Sequence, residues 1–428
     1  MLVGRWLVPA SGAMELAYDA TWIAAKEARP LSLSLPINLD GQPLKGAKVG
    51  NFFDNLLPDS DAIRQRIRTR FRTRSGDAFD LLEAIGRDCV GAVQLLPDGS
   101  TPQGVFEIAA TPLSSSDVEK ELLASVSPNV VSGDDDEFRI SLAGGQEKTG
   151  LTRHAGRWCK PHGATPTTHI FKLPFGLVGR LQLDMRESLE NEWLCARILA
   201  GYGLPVADSE IKRFGASKAL VVARFDRALH STSRYWLRLP QEDLCQATGT
   251  ASTAKYEADG GPGILAIAGV LQGSESRDQD LATLLRAQLL FWMLAATDGH
   301  AKNFSIHLLQ AGRYRLTPLY DVISAWPIAG SRHNQVHPSK LKLAMALRGT
   351  NTHYRIAELT RQHFNATAQR CGLGSDMEHI IADVLAKTPS VVQGVAAKLP
   401  QGFPQKLFEA VTGGLERSAR QLERMPSK

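Results

Sequence analysis

The feature that most constrains the fold is an almost wholly apolar run at residues 284–296, which is followed at once by polar chain. A run of this length and composition predicts a buried helix. Other elements must surround such a helix, and a chain of 428 residues with 43% hydrophobic residues is long enough to build that core. The polar segment 298–303 then lies where the core helix ends, and charge at the edge of a core is costly without a partner or a role.

That polar segment carries an acid and an amide five residues apart, Asp298 and Asn303, and Asp321 follows after a strand-like run. In protein kinases an aspartate accepts the proton of the attacking hydroxyl, and an asparagine five residues on and a later aspartate hold Mg²⁺ against the nucleotide phosphates. Residues 305–310 and 313–318 predict a hairpin that returns Asp321 toward Asp298. The alternative is that these common loop residues form only a helix cap and a turn.

Composition narrows the class of protein. The five cysteines are scattered without a C-x-x-C pair, which argues against a disulfide framework and against zinc and favours a reduced, cytoplasmic compartment. The sequence shows neither the pattern of a signal peptide nor an apolar run long enough to span a membrane, so we expect neither export nor a membrane partner. A net charge of +5 permits a nucleic-acid partner without requiring one.

Three segments are predicted along the chain: an α/β part at 1–105, a nucleotide-binding part at 106–243 and a helical catalytic part at 244–428. In the first, residues 31–37 and 91–96 have strand-like patterns. Apolar residues at four-residue spacing predict a helix there through Ile63, Ile67 and Phe71. The second segment opens with Ser116 and Glu119 at the spacing of a capping box.

Two features of the second segment suit a phosphate. Gly144 and Gly145 follow a strand, and two glycines let backbone N–H groups approach phosphate oxygens, although a plain hairpin turn explains them as well. Lys172 lies in a short apolar strand, where a lysine needs an anion, and Glu192 on a following helix is a candidate ion-pair partner. The alternative is that Lys172 extends to solvent and Glu192 lies on an exposed helix face.

Taken together, the order and spacing of these motifs resemble the HipA family, the serine/threonine-kinase toxins of bacterial HipBA toxin–antitoxin modules. The resemblance covers nearly the whole chain and implies an α+β, protein-kinase-like bilobal fold with an α/β N-terminal part and an all-helical C-terminal domain. The strings that carry it are NFFDNLLPDS (51–60), FRISLAGGQEKTGL (138–151), HIFKLP (169–174), RFDR (224–227), RLPQEDLCQ (238–246), KYEADGGPG (255–263), ATDGHAKNFS (296–305), YRLTPLYDVIS (314–324) and LKLAMAL (341–347).

The resemblance implies a role for each matching position. Asp298 is similar to the catalytic aspartate, Asn303 and Asp321 to the Mg²⁺ ligands, and Ser141 to the autophosphorylated serine whose modification ejects the nucleotide-covering loop and inactivates the kinase. The implied ATP contacts are Lys172, the loop residues Ala143, Gly144, Gly145, Gln146, Glu147 and Lys148, the hinge residues Ala223, Arg224 and Phe225, and His300, Ala301, Lys302, Asn303, Tyr320 and Asp321.

One position departs from the family pattern, which has glutamate where this chain has Ala223. A side-chain contact to the nucleotide is lost there, at a cost of about 1 kcal/mol, and backbone hinge contacts would survive.

The resemblance also implies a biological role. The expected activity is ATP- and Mg²⁺-dependent phosphorylation of an aminoacyl-tRNA synthetase, glutamyl-tRNA synthetase above all, which arrests translation and promotes persistence. A helix-turn-helix antitoxin of the HipB type would restrain the toxin, and the two would co-repress their operon on operator DNA, bound mainly through the antitoxin. Two alternatives stay open: a DNA-bound co-repressor with an inert kinase site, and a kinase for a different substrate.

Alternate residues from Arg64 to Arg74 form an arginine run that is peculiar to this chain. On a helix these residues would surround most of the surface outside the apolar stripe, so a solvated face with intramolecular acidic partners explains them. The other hypothesis is a contact to DNA or to a tRNA-bound substrate.

Overall fold

The computed structural model describes residues 1–127 and 140–427, so the first two residues of the string 138–151 lie outside the described residues. The architecture is α+β. The strands are β1 Gly4–Leu7, β2 Glu15–Tyr18, β3 Leu44–Lys45, β4 Ala110–Pro112, β5 Lys148–His154, β6 Arg157–Pro161, β7 His169–Lys172, β8 Gly176–Val178, β9 Leu183–Met185, β10 Ser209–Phe214, β11 Ser217–Ala223, β12 Arg227–Leu229, β13 Trp236–Arg238, β14 Gln241–Asp243, β15 Ser305–Leu308, β16 Tyr314–Leu316, β17 Lys342–Arg348 and β18 Thr352–Arg355. The helices are α1 Ala20–Ile23, α2 Ala47–Asp54, α3 Asp61–Phe71, α4 Ala78–Ile85, α5 Ser115–Val126, α6 Ser188–Gly201, α7 Leu244–Thr248, α8 Ile264–Leu271, α9 Arg277–Leu294, α10 Arg361–Cys371, α11 Glu378–Ala396 and α12 Gln405–Arg424.

The chain divides into two compact units. Unit 1 contains residues 1–173, 212–254 and 305–314, and unit 2 contains residues 174–211, 255–304 and 315–428. The three-segment division at 105 and 243 stays a prediction. Among the described residues, no helix combines the length and the apolar character that a membrane span needs.

Unit 1 is built around a sheet in which β11, β7, β5, β6 and β4 follow one another, with β10 at its edge. Strand β7 lies between β5 and β11 and is antiparallel to both. Helix α5 covers the sheet, and its buried residues Val118 and Leu122 pack with Leu151, Phe171 and Val221 from the strands. The alternation of apolar residues along these strands accounts for the buried face.

A second core in unit 1 joins the N-terminal hairpin to α2 and α4. Trp6 of β1 stacks on Phe53 of α2 with ring centroids 3.9 Å apart, and Phe52 and Leu81 are fully buried beside them. The helix predicted through Ile63, Ile67 and Phe71 is confirmed as α3, although Ile67 and Phe71 are only partly buried against this core.

Unit 2 is organised by α9, the helix predicted from the apolar run. Its residues from Leu284 onward are almost all buried, as the composition predicts. Ala295, in left-handed backbone at φ 48°, ends the helix, and the N–H of Ala296 donates to the carbonyl oxygen of Phe291 at 2.8 Å. Gly299 follows within van der Waals reach of the same helix, since a Cβ there would lie 2.5 Å from the Phe291 ring. Only glycine lets the polar segment turn so closely against the core.

Several predicted elements are wrong in detail. Residues 31–37 form a turn and no strand, because side chains satisfy the backbone: the N–H of Leu31 donates to Tyr18 Oη and that of Leu33 to Glu242 Oε1, both at 2.8 Å. Residues 91–96 likewise form no strand, and the N–H of Gly91 donates to Asp226 Oδ2 at 2.7 Å.

The cap of α5 and the description of the C-terminal part also need correction. The capping box of α5 is Ser114 with Asp117, and Glu119 accepts hydrogen bonds from the N–H groups of Ala216 and Ser217. The segment from 244 onward is mainly helical but also contains the hairpin β15–β16 and the pair β17–β18, so it is not all-helical. The predicted hairpin at 305–318 is confirmed by β15 and β16.

Candidate active site

The predicted catalytic segment forms one tight cluster in unit 2. The side-chain amide of Asn303 donates to the main-chain oxygen of Asp298 at 2.7 Å and to that of Asp321 at 3.4 Å. The N–H of His300 also donates to the oxygen of Asp298, at 2.8 Å. Asn303 therefore fastens the two aspartates to each other, and the structure brings these three predicted residues together.

The side chains of this cluster differ in exposure and in backbone conformation. Asp298 exposes 59% of its side chain, whereas Asn303 is only 5% exposed. Asp321 lies in left-handed backbone at φ 60°, a conformation that aspartate tolerates better than most residues. Because both amide hydrogens of Asn303 point at main-chain oxygens, its Oδ1 is the atom left to face a ligand.

Tyr256 contacts the exposed aspartate. Its hydroxyl donates a hydrogen bond to Asp298 Oδ1, and His300 Nε2 lies 3.7 Å from the same oxygen. The Tyr256 and His300 rings meet edge to face with centroids 5.0 Å apart. The hydroxyl therefore holds one carboxylate oxygen in a fixed direction and leaves the other to a reacting group.

The remaining predicted residues of this part support the cluster. Ala301, Lys302 and Asn303 form a short 3₁₀ turn, and all three are buried. Tyr320 donates from its hydroxyl to the main-chain oxygen of Lys302 at 2.8 Å. The turn after α9 is thereby linked to the segment that carries Asp321.

In unit 1 the second set of predicted residues lies around β7. Lys172, at the end of β7, is 7% exposed and is the register partner of Lys148 on β5. Directly opposed residues of an antiparallel pair share one face of the sheet, so the side chains of Lys148 and Lys172 leave the sheet on the same side. Lys148 Nζ also donates to the main-chain oxygen of Ala143 at 2.5 Å and so closes the loop 143–148 on itself.

The loop itself has a backbone that suits glycine. Gly144 has φ 104°, and a Cβ there would lie 2.6 Å from Lys148 Nζ. Gln146 is buried and donates from Nε2 to the main-chain oxygen of Leu173 at 2.6 Å. The N–H of Leu173 in turn donates to the oxygen of Glu147 at 3.0 Å. The loop is therefore tied to the end of the strand that carries Lys172.

Ser141 is fully buried before this loop. Its hydroxyl donates to the main-chain oxygen of Leu56 at 2.8 Å, and its N–H donates to the oxygen of Asp88 at 3.0 Å. In this conformation the hydroxyl does not reach solvent, so modification of Ser141 requires the segment to leave its position.

The predicted hinge lies at the end of β11. Ala223 is the register partner of His169. The N–H of Arg224 donates to the oxygen of Thr168 at 2.9 Å, so a nucleotide contact at Arg224 stays a prediction and needs a different main-chain group. Phe225 is half-buried and its ring meets that of His307 edge to face, with centroids 5.7 Å apart.

The side chain of Arg224 belongs to a buried network of three arginines and two aspartates. Arg224 pairs with Asp226 at 2.7 Å, and Arg227 and Arg238 pair with Asp88 at 3.0 Å and 3.2 Å. Burial alone would raise the pKa of Asp88, but the guanidinium groups outweigh it and hold that pKa well below its usual range. The network fixes the start of β12 to the segment before Gly91, and its Arg224 side chain is committed within the protein.

Comparison with known families decides the identity of the chain. The HipA-like C-terminal domain matches residues 140–392, and the HipA N-terminal domain matches residues 2–96. The chain belongs to the HipA family. The resemblance inferred from the sequence is confirmed.

Known relatives agree with this assignment. Over 381 residues the chain is 30% identical to Y4mE of Sinorhizobium fredii, a proposed kinase. The aligned region covers 87% of this chain and 84% of the relative. It is 27% identical over 336 residues to the serine/threonine-protein kinase toxin HipA of Shewanella oneidensis, covering 72% of each. The chain is thus a HipA-family protein related to kinases.

The fold matches a solved HipA structure. The structure of the Shewanella oneidensis MR-1 toxin–antitoxin system HipA, HipB and its operator DNA aligns with a TM-score of 0.79 at 21% identity, over 99% of this chain and 96% of that chain. The α+β, protein-kinase-like fold predicted from the sequence is confirmed.

Within this HipA-family fold, one sequence prediction can be refined and one residue joins the candidate site. Glu192 is buried on α6, which contradicts the alternative of an exposed helix face, and its pairing with Lys172 stays a prediction because the two residues belong to different units. The sequence motifs assign no role to Tyr256, although it lies in the family string 255–263. Its distance of 42 residues from Asp298 obeys no motif spacing, so only the structure brings the two together.

Proposed function

We propose that this HipA-family protein is an ATP- and Mg²⁺-dependent protein serine/threonine kinase. The observation that carries the proposal is the cluster in which Asn303 joins Asp298 to Asp321. In the proposed reaction the Asp298 carboxylate would accept the proton of the substrate hydroxyl as that oxygen attacks the γ-phosphorus of ATP, while the bond from this phosphorus to the bridging oxygen breaks and ADP leaves. The Tyr256 hydrogen bond orients that carboxylate before the substrate arrives.

The donor set fits a magnesium ion bound with nucleotide. Asn303 Oδ1 and the Asp321 carboxylate are hard oxygen ligands, and Mg²⁺ commonly takes one or two protein groups and completes its shell with phosphate oxygens and water. Among the described residues, no group of three or more His, Cys, Asp or Glu side chains could hold a metal ion. When bound, the ion would neutralise charge on the phosphates.

Lys148 and Lys172 of unit 1 are the proposed cationic partners of the nucleotide phosphates. Lys148 and Lys172 face the same side of the sheet, and the loop 143–148 ends at the first of them. Lysine binds phosphate as a point charge, and Lys172 is buried while Lys148 is half-buried. These contacts support ATP as the phosphoryl donor, with main-chain groups of Ala223 and Phe225 as the proposed hinge.

The proposed biological role is that of a HipBA-type toxin. Phosphorylation of an aminoacyl-tRNA synthetase, with glutamyl-tRNA synthetase as first choice, would stall translation and favour persistence. Autophosphorylation of Ser141 would end the activity, because a dianion cannot stay in the buried position where the hydroxyl now donates to Leu56. The name of the Shewanella oneidensis relative supports the toxin role.

The proposed partners are a HipB-type antitoxin and, through it, operator DNA, with which the pair would repress its operon in the cytoplasm. The complex of HipA, HipB and operator DNA in the matching structure supports this proposal.

Incubation of the purified protein with labelled ATP and Mg²⁺ tests the function. We expect label on Ser141 in the wild type and a loss of transfer of about 100-fold or more in Asp298→Asn, since a general base contributes about 100- to 10,000-fold. Thermal unfolding of both proteins controls for folding. Absence of transfer in the wild type as well would favour the inert co-repressor, and phosphoproteomic comparison of cells expressing the two proteins identifies the substrate.

A further inference from the structure

The arginine run of α3 is divided between different tasks. Arg64 points back along its own segment and pairs with Asp54 at 2.7 Å while its Nε donates to the oxygen of Pro58, also at 2.7 Å. Arg66, two residues on, pairs with Glu147. The two arginines therefore fix the start of α3 on one side and contact the nucleotide loop on the other.

The same segment holds the loop at a second point. Pro58 and Gly144 form a parallel bridge, and the N–H of Asp59 donates to the oxygen of Gly144 at 3.1 Å. All of these residues belong to unit 1. The loop 143–148 is thus supported along its length by the chain that leads into α3, at Gly144 through the backbone and at Glu147 through an ion pair.

Glu147 connects this support to the strand of Lys172. Its carboxylate forms an ion pair with Arg66, and its main-chain oxygen accepts a hydrogen bond from the N–H of Leu173 at 3.0 Å. The Arg66 and Glu147 side chains are 25% and 31% exposed, so the ion pair is screened only in part. A change at Arg66 would therefore reach the loop and the residue after Lys172 together.

We propose that Arg66 is a positioning residue for the nucleotide, and that its ion pair with Glu147 latches the loop 143–148 in the conformation that covers the phosphates. The inference rests on the proposed kinase function, because it gives the loop a nucleotide to cover. It assigns to Arg64 and Arg66 an internal role in place of a nucleic-acid contact.

Hydrogen exchange of the nucleotide-free protein tests the latch without reference to catalysis. The amide of Asp59 reports on loop contact, since it is bonded to Gly144. We expect Arg66→Gln to speed its exchange about two- to fivefold, the range for a partly exposed ion pair, and Arg66→Glu to speed it further by repulsion from Glu147. Combining Arg66→Glu with Glu147→Arg should restore slow exchange. Arg68→Gln, at an exposed position of the same helix, is the matched control.

Kinetics then test the positioning role. Arg66→Gln should raise the KM for ATP about two- to fivefold with kcat within twofold of wild type, because the pair acts on nucleotide binding and not on Asp298. Exchange in Arg66→Gln equal to that in Arg68→Gln overturns the latch, and faster exchange with an unchanged KM overturns the positioning role. If the wild type transfers no phosphate, the proposed function is wrong, and binding of a fluorescent ATP analogue then tests the positioning role. Weaker binding in Arg66→Gln than in the wild type supports that role, and equal binding overturns it.

Discussion

Asn303 donates from its side-chain amide to the main-chain oxygen of Asp298 at 2.7 Å, so one residue is both a proposed Mg²⁺ ligand and a support for the backbone of the proposed catalytic base. The second hydrogen bond of the same amide, to the oxygen of Asp321, extends this control to the other proposed ligand. The side-chain nitrogen of Asn303 therefore holds the backbone, whereas its side-chain oxygen is the proposed metal ligand. Suitable substitutions can distinguish these two roles.

Asn303→Ala should lower kcat/KM on the order of 100-fold, because it removes both the proposed Mg²⁺ ligand and the contact to Asp298. Asn303→Asp keeps a hard oxygen but sets an anionic oxygen against the main-chain oxygens that the amide contacted, so we expect only partial recovery, which improves as Mg²⁺ is raised. Steady-state rates over a Mg²⁺ series measure both effects, and thermal unfolding controls for folding. Equal rates for the two variants at every Mg²⁺ concentration would argue against metal binding here.

Tyr256→Phe should lower kcat about tenfold with little change in the KM for ATP, since it removes a hydrogen bond to the charged Asp298 carboxylate. Tyr235→Phe, in the other unit, is the control. Phosphoryl transfer to a protein substrate at saturating ATP measures the effect. A faster Tyr256→Phe protein would mean that the hydroxyl blocks the carboxylate and does not orient it.

Ser141→Asp should weaken ATP binding at least tenfold, because a carboxylate in this fully buried position meets the main-chain oxygen of Leu56 and displaces the segment before the loop. Ser141→Ala should keep ATP binding and lose self-labelling, with a cost to folding of about 1 kcal/mol for the lost hydrogen bond. Calorimetric titration with an ATP analogue compares them with Ser116→Asp, an exposed control. Wild-type affinity in Ser141→Asp contradicts the proposed off-switch.

Glu242 should make the protein less stable as pH rises. Burial raises its pKa from 4.5 to about 8, so between these values the folded state keeps a proton that the unfolded chain releases. The free energy of unfolding should therefore fall as pH rises from about 5 to 8, by at most about 1.4 kcal/mol per pH unit. Urea unfolding across this pH range measures the effect. The fall in the free energy of unfolding should be shallower in Glu242→Gln than in the wild type, and the exposed control Glu423→Gln should keep the wild-type slope. Equal slopes in all three proteins would contradict the assignment.

Replacing Arg66, Arg70 and Arg74 together by Gln should leave the salt dependence of DNA binding by the toxin–antitoxin complex unchanged. Arg66 pairs with Glu147, and Arg74 lies 3.1 Å from Asp80, so acidic side chains of the protein already neutralise much of this surface. Fluorescence anisotropy measures this slope between 50 and 200 mM salt. Over that interval the affinity of a strongly electrostatic binder falls about 1,000-fold or more. A shallower slope would revive the nucleic-acid hypothesis.

The predictable part of the site is its local part. Asp298 and Asn303 lie five residues apart at the end of a helix whose apolar sequence leaves little choice of structure, so their proximity follows from the sequence. Tyr256 reaches Asp298 across 42 residues, and Arg66 reaches Glu147 across 81. Contacts of that range depend on tertiary packing, which no spacing rule records.

The wrong strand prediction at residues 31–37 has a related cause. Apolar and polar residues alternate there as in a half-buried strand, but the N–H of Leu33 finds the side chain of Glu242 and that of Leu31 finds Tyr18. A pattern describes which side chains are buried and not which partner the backbone takes. Glu242 could be identified only with its surroundings known.

The register of β7 sets limits on how this family can vary. Lys172 is aligned with Lys148 on one neighbour and with Leu220 on the other, and three residues beyond Leu220 lies Ala223. One inserted residue within β7 would turn its side chains to the opposite face and misalign the two proposed phosphate lysines with the proposed hinge in a single step. An insertion at the turn of residues 155–156, between β5 and β6, leaves both registers of β7 intact. Length changes among relatives should therefore accumulate at that turn and be absent from β7.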